Sequence, residues 1–264
     1  ACDTATIAVL PSGGPEGAQL AALLEPFGVQ TVQVPITGTV RSNITVAEPD
    51  GTTTKLNEAG PELSPDEAAA VERTVVELAG RASWFVGSGS LPRGVGVDFY
   101  ARLVSALRDS DTQVCIDASG PALAAAVDAG PDLIKPNAEE LAELVGRPLH
   151  RLADVVDAAA EVRKRGVGTV LVSLGGDGAL LVSTDEVVHG WAPPVRVRST
   201  VGAGDSTLAG FLAGGGRGRR ALVTAIAYGT AAVQLPGSVM PRPGDLHPEL
   251  VEITDTPDLD RALT

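Results

Sequence analysis

Asp205 lies in STVGAGDSTLAGFLAG, residues 199–214, where glycines flank an alanine, a carboxylate follows at once and an apolar helix begins. A helix N-terminus carries unsatisfied N–H groups and partial positive charge. A carboxylate placed there either caps the helix or reacts. In the first reading Asp205 is the N-cap of a helix over 205–214 and the glycines make a tight turn. In the second, the N–H groups of Ala203, Gly204 and Asp205 surround an anion. Asp205 then accepts the proton of an alcohol, as phosphoryl transfer to a hydroxyl requires. This segment alone leaves both readings open.

Glycine-rich helix starts bind phosphates, and the remaining residues narrow the kind. A P-loop needs Gly-Lys-Ser/Thr, and none of Lys55, Lys135 and Lys164 precedes Ser or Thr. A dinucleotide fingerprint needs a third glycine where Thr207 stands. It also needs an acid about 20 residues on, yet no Asp or Glu occurs between Ser206 and Gly244. The HRD and DFG elements of protein kinases are missing too.

Other loops carry candidate groups, each with an ordinary alternative. Lys135, in KPNAEE, follows a short apolar run, where a lysine reaches a nucleotide phosphate or lies on the surface. Glu140 in the same loop reads by itself as a first-turn helix glutamate. The glycines of SLGGDG, residues 173–178, signal a turn. GSGSLPRG, residues 87–94, is either a strand-to-helix turn or a phosphate loop, with Arg93 solvated. Arg41 is a solvated strand residue or, as a planar fork, a ligand for a phosphate monoester.

Alternating elements must position these loops. TIAVL, WFVGSG, QVCIDAS, DLIKPN and TVLVSLGG are short apolar runs, each beside a longer amphipathic stretch. That rhythm predicts an α/β fold with a mostly parallel sheet, helices on both faces and right-handed crossovers. Ligands then gather at the carboxyl ends of the strands, where GSGSLPRG, DAS, KPNAEE, SLGGDG and STVGAGDS all fall. Period-two alternation over 39–58 around EPDG predicts a hairpin that projects from the sheet. A second hairpin is expected over 179–191, turning near TDE.

Bulk properties exclude several classes. The 264 residues are 44% apolar, enough for one large α/β domain or two small domains and for a substantial core. No apolar run approaches the roughly 20 residues of a membrane helix, and the first residues lack the pattern of a signal peptide. A net charge of −13 opposes general nucleic-acid binding, and RGRR, residues 217–220, reads as a solvated cluster. Cys2 and Cys115 are expected as thiols in a reducing cytoplasm. His150, His189 and His247 are scattered without metal-ligand spacing.

Taken in order, VRSNITV, VGSGSLPRGV, IKPNAEEL, VLVSLGGDGALLV and STVGAGDSTLAGFLAG resemble the motifs of the ribokinase-like, phosphofructokinase-B family of carbohydrate kinases, from Ile7 to about Gly244. The resemblance implies a three-layer α/β/α fold over 1–264, with residues 31–58 forming part of a β lid. It implies ATP and Mg²⁺, with Asp205 as general base beside an anion hole of Gly202, Ala203 and Gly204. Arg41 would hold the phosphate already on the sugar, with Asn43, Ser88 and Ser90 close to it. Lys135, Asn137, Glu140, Ser173, Leu174, Gly175, Gly176, Asp177, Gly178, Thr200 and Gly204 would surround the nucleotide, and Glu140 would hold a magnesium-bound water. Ser199 leads into the catalytic loop, and AAVQLPGS, residues 231–238, would contribute to the adenine pocket.

The branch most resembled converts fructose 1-phosphate and ATP to fructose 1,6-bisphosphate and ADP. Acceptors such as tagatose 6-phosphate or fructose 6-phosphate stay open, as does a nucleotide-binding module without catalysis. A homodimer through the lid is a further implication. Two features of the family have no counterpart here: a sugar-contacting aspartate after the first strand and a Gly-Gly-Lys-Gly element. About 40–50 residues with a sheet strand and part of the lid are therefore expected to be missing. The chain is expected to be weakly active or inactive.

Overall fold

The computed structural model describes residues 4–47 and 53–263. The first half comprises β1 (Ile7–Ser12), α1 (Gly14–Leu24), β2 (Gln30–Pro35), β3 (Asn43–Ala47), β4 (Thr53–Asn57), α2 (Pro65–Ala79), β5 (Trp84–Ser88), α3 (Phe99–Leu107), β6 (Gln113–Asp117) and α4 (Gly120–Ala129). There follow β7 (Leu133–Ile134), α5 (Ala138–Val145), α6 (Leu152–Lys164), β8 (Thr169–Ser173), β9 (Ala179–Val182), β10 (Val187–Trp191), α7 (Ala203–Ala213), α8 (Gly218–Gln234) and β11 (Glu252–Thr254).

Seven strands form the main sheet in the order β11-β10-β9-β8-β7-β6-β5. β5 to β8 run parallel, and β9, β10 and β11 continue it antiparallel. Its central strands, β6 to β10, have both faces buried, as their continuous apolar runs require. Successive residues point to opposite faces. Val114, Ile116, Ile134, Val170 and Val172 therefore pack in one core, toward α2 to α6. Cys115, Leu133 and Leu171 pack in the other, against Leu208 and Phe211 of α7 and Leu222 and Ile226 of α8. Cys115 is a free, fully buried thiol; Cys2 lies outside the described residues. The strand–helix alternation read from the sequence thus becomes three layers.

β1 and β2 pair with each other in parallel and form their own two-stranded sheet. Between β1 and β5 lies an apolar cavity of about 240 Å³, walled by Val9, Val75, Phe85 and Leu103 among others. Both expected hairpins are present: β3 with β4, and β9 with β10. The EPDG turn of the first lies outside the described residues. In this hairpin Ile44 faces Leu56, and both side chains are more than half exposed.

The path from β2 into the hairpin is clamped by Glu67, in the first turn of α2. Its Oε1 accepts the Thr37 N–H at 2.6 Å and the Thr37 hydroxyl at 2.9 Å. Its Oε2 accepts the Ser64 N–H at 2.7 Å, and Ser64 caps the helix in return. Hydrogen bonds from the Ser64 and then the Thr37 backbone draw the Glu67 carboxyl from its ordinary 4.5 down to about 2. The folded value lies below the unfolded one. This contribution to stability is therefore fully present above pH 4.5 and is lost as pH falls through about 2. Glu67→Gln is expected to flatten this part of the acid limb. Urea midpoints measured between pH 2 and 5 should fall less steeply with acidification in the variant than in the unaltered chain; parallel curves would contradict the clamp.

Candidate active site

The start of α7 is built by a glycine in the left-handed region. Gly202 is the N-cap, at φ 75°, with no side-chain cap. The helix begins at Ala203, two residues before the start expected from the sequence, so Asp205 is its third residue and not its cap. The capping reading of Asp205 is thereby overturned. Its side chain is exposed at the first turn. Ser206 N–H closes onto Gly202 C=O at 2.8 Å, and Ala203 N–H reaches Thr200 C=O at 3.3 Å. Of the three N–H groups considered for an anion, Ala203's already has this acceptor. Those of Gly204 and Asp205 find none among the described residues, so two donors point out beside the Asp205 carboxylate.

Lys135 comes to the same place from the sheet. It follows β7 and is 5% exposed, which overturns its reading as a surface lysine. Its Nζ is 3.2 Å from Asp117 Oδ1, at the end of neighbouring β6. A Cβ built on Gly204 would lie 3.3 Å from that Nζ, so the glycine lets the ammonium press on the helix start. Burial first of all pushes the Asp117 carboxyl above the ordinary carboxylate range. Lys135 opposes this, while the charges of Asp205 and Glu140 add to it. Asp117, Lys135, Glu140 and Asp205 thus share one electrostatic neighbourhood.

Asn137 and Glu140 form the capping box of α5. Glu140 N–H donates to Asn137 Oδ1 at 2.8 Å, and Asn137 N–H donates to Glu140 Oε2 at 2.9 Å. The spacing that reads as a metal-linked pair is therefore, in the fold, N-cap and N3. Ser173 N–H donates to Pro136 C=O. Asn137, Ser173, Leu174 and Gly175 open onto one cleft of about 230 Å³, with Leu263 on its wall. A short 3-10 turn, Gly175–Asp177, borders it through Gly175 and is followed by Gly178. Gly175 and Gly176 are exposed. Asp177 points elsewhere: it is 4% exposed, and its Oδ1 accepts Arg261 Nη2 at 2.8 Å and Nε at 3.2 Å. Its carboxylate anchors the C-terminal segment. Val233 C=O accepts the N–H groups of Arg198 and Ser199, so residues 231–238 adjoin the strand of chain leading to Thr200.

On the other side, Arg41 Nη2 donates to Ser90 Oγ at 3.1 Å, across 49 residues of sequence. Two candidate phosphate ligands are thus brought together, exposed to solvent. Asn43 opens β3 and is exposed, and Ser88 ends β5, where it lies opposite Asp117. The Tyr100 hydroxyl donates to the carbonyls of Ser88 and Gly89 at 3.0 and 2.9 Å, fixing the start of the loop. Burial, then the Asp117 charge, pushes that phenol up to about 12. Arg93 Nη2 reaches Gly60 C=O at 3.4 Å and remains exposed. Asp117 and Tyr100 were not singled out from the sequence. The DAS loop at a strand end was the only signal for Asp117.

Comparison with known proteins adds three findings. The family model described as pfkB family carbohydrate kinase matches residues 4–242. The chain is 36% identical over 189 residues to a 1-phosphofructokinase of Vibrio cholerae, covering 72% of this chain and 60% of that one. It is 38% identical over 202 residues to the ATP-dependent 6-phosphofructokinase isozyme 2 of Escherichia coli, covering 75% and 65%. The chain thus spans less than two thirds of the length of either relative. Phosphofructokinase-2 from Escherichia coli, in complex with substrates and products, superposes with a TM-score of 0.86 at 35% identity. That match covers 92% of this chain and 81% of the other.

The position of Asp205 depends on how closely α7 lies on α8. A Cβ at Gly210 would come within 2.8 Å of the Thr224 carbonyl oxygen and of Tyr228 Cβ. Gly210→Val is expected to destabilise the fold by about 2 kcal/mol, the usual cost of overpacking. A urea unfolding curve unchanged in midpoint would contradict this packing.

Proposed function

The chain belongs to the pfkB family of carbohydrate kinases, and on that premise we propose that it transfers the γ-phosphoryl group of ATP to fructose 1-phosphate, forming fructose 1,6-bisphosphate and ADP. The observation that carries the reading is the meeting of an exposed carboxylate, two open N–H groups and a buried ammonium at the start of α7. Asp205 takes the proton from the sugar hydroxyl. That oxygen attacks the γ-phosphorus while the bond to the β–γ bridging oxygen breaks, and ADP leaves. Gly202, Ala203 and Gly204 shape the turn around the transferring group, with Gly204 N–H and Lys135 countering the charge that develops on it.

Arg41 and Ser90 hold the phosphate already on the sugar, and Asn43 and Ser88 flank it. Asn137, Ser173, Leu174, Gly175, Gly176, Gly178 and Thr200 lie along the nucleotide, with Asp177 holding the loop from below. Mg²⁺ fits here as a partner of the phosphates, where it would neutralise charge on them. Glu140 is half-buried with Oε2 engaged by Asn137 N–H, and its carboxylate suits a water of that ion better than the ion itself.

The likeness to a 6-phosphofructokinase favours a second reading of the acceptor, with fructose 6-phosphate or tagatose 6-phosphate in the same pocket. A third, a nucleotide-binding module without turnover, draws support from the separation of β1–β2 from the seven-stranded sheet. The buried thiol of Cys115 agrees with a cytoplasmic setting, and no helix of the described residues is long and apolar enough to cross a membrane. Self-association belongs to the same proposal: the exposed pair Ile44 and Leu56 offers an apolar face on the β3–β4 hairpin to a second copy.

Measured in a full-length version, Asp205→Asn is expected to lower kcat by about a thousandfold while the ATP dissociation constant moves less than about threefold. Steady-state rates with fructose 1-phosphate, fructose 6-phosphate and tagatose 6-phosphate rank the acceptors by kcat/KM. Undiminished turnover in the variant would remove Asp205 as the base. A thermal shift with ATP alone, and none with any sugar phosphate, would select the nucleotide-binding module. Ile44→Asp is expected to convert dimers to monomers in sedimentation velocity; an unchanged sedimentation coefficient would place any association elsewhere.

A further inference from the structure

Lys135 is the buried charge that the proposed transfer leaves unexplained in the free protein. Its side chain is 6% exposed and lies against the first turn of α7, where the helix dipole is positive. The ammonium and the partial positive charge of the helix start meet there. Among the described residues, the ammonium has one ion-pair partner, the Asp117 carboxylate, itself 14% exposed. Asp117 also touches the other half of the site, but through its backbone: its carbonyl accepts the Gly89 N–H at 2.9 Å, at the base of the loop that carries Ser90. Lys135 N–H in turn donates to Ile116 C=O at 3.2 Å. The side chain and the main chain of one residue thus face different substrates.

We propose that Asp117 is a positioning residue, whose carboxylate holds the Lys135 ammonium at the start of α7 so that it is in place for the phosphates of the nucleotide. The inference rests on the nucleotide site proposed above. A buried ammonium that loses its counter-charge is costly to keep where it is, so removing the carboxylate displaces Lys135 from the helix start. The carbonyl of residue 117 stays. The loop beyond Gly89 therefore keeps its anchor, and the effect falls on ATP and not on the sugar phosphate.

The test is a double-mutant cycle read by isothermal titration calorimetry of ATP with Mg²⁺, on the unaltered chain, Asp117→Asn, Lys135→Met and the double variant. Asp117→Asn is expected to weaken ATP about tenfold. The double variant should bind ATP no more weakly than Lys135→Met alone, because Asp117 acts only through Lys135. Affinity for the sugar phosphate should change less than about twofold. Asp117→Glu, which restores the charge, should recover ATP affinity to within about threefold and serves as the comparison if Asp117→Asn does not fold. ATP binding in Asp117→Asn as tight as in the unaltered chain, or losses that multiply in the double variant, would overturn the inference alone. So would an equal weakening of both ligands. Absence of ATP binding by the unaltered chain would overturn the proposed function and this inference with it.

Discussion

A lysine ammonium sealed against the positive end of a helix is tolerated only while a carboxylate stands beside it, and the site is arranged around that constraint. Asp117 and Lys135 follow from neighbouring parallel strands, so the register of β6 with β7 sets their separation. The helix they face is placed by its packing on α8, where Gly210 and Gly214 leave no room for a methyl group. The sheet cannot shift without disturbing both cores, because alternate residues of each central strand are buried on opposite sides. The charge cluster is therefore held from three directions.

The sugar side is held differently. Arg41 and Ser90 meet at the solvent-exposed rim, and the chain leading to Arg41 is clamped by a surface carboxylate, Glu67. An exposed pair of polar groups is weak by comparison with a buried one. The half proposed for the nucleotide is thus held by burial, and the half proposed for the sugar phosphate by a few hydrogen bonds. That contrast suits a reaction in which a rim has to close over the acceptor to keep water from competing for the phosphoryl group.

Much of this was legible in the chain. Period-two and apolar runs located the strands, since a sheet buried on both faces demands continuous β-branched and apolar residues. The loops GSGSLPRG, KPNAEE, SLGGDG and GAGD fell at strand ends for the same reason. What escaped was what depends on neighbours distant in sequence. Asp117 looked like any polar residue after a strand, because its role comes from a lysine 18 positions later. Lys135 read equally well as a surface lysine, because burial is a property of what covers it. Asp177, inside a glycine loop, looked like a ligand group. Its partner, Arg261, lies 84 residues away in a segment with no motif. The start of α7 was misplaced by two residues because a left-handed Gly202 caps the helix without a side chain, where an aspartate nearby was the more familiar signal.

The Asp177–Arg261 pair has a mechanical meaning. Arg261 C=O also accepts the Leu152 N–H, Leu259 C=O accepts the Ala153 N–H, and Leu263 N–H donates to His150 C=O. Residues 259–263 are thus stitched along the start of α6 while gripping the glycine loop from beneath. Force applied to this stretch, by a fused tag, a tether or a tweezer handle, would reach the start of α6 through backbone hydrogen bonds and the loop through two hydrogen bonds from the Arg261 guanidinium to Asp177 Oδ1. The last residues of the described chain are a tension line into the cleft lined by Ser173, Leu174 and Gly175.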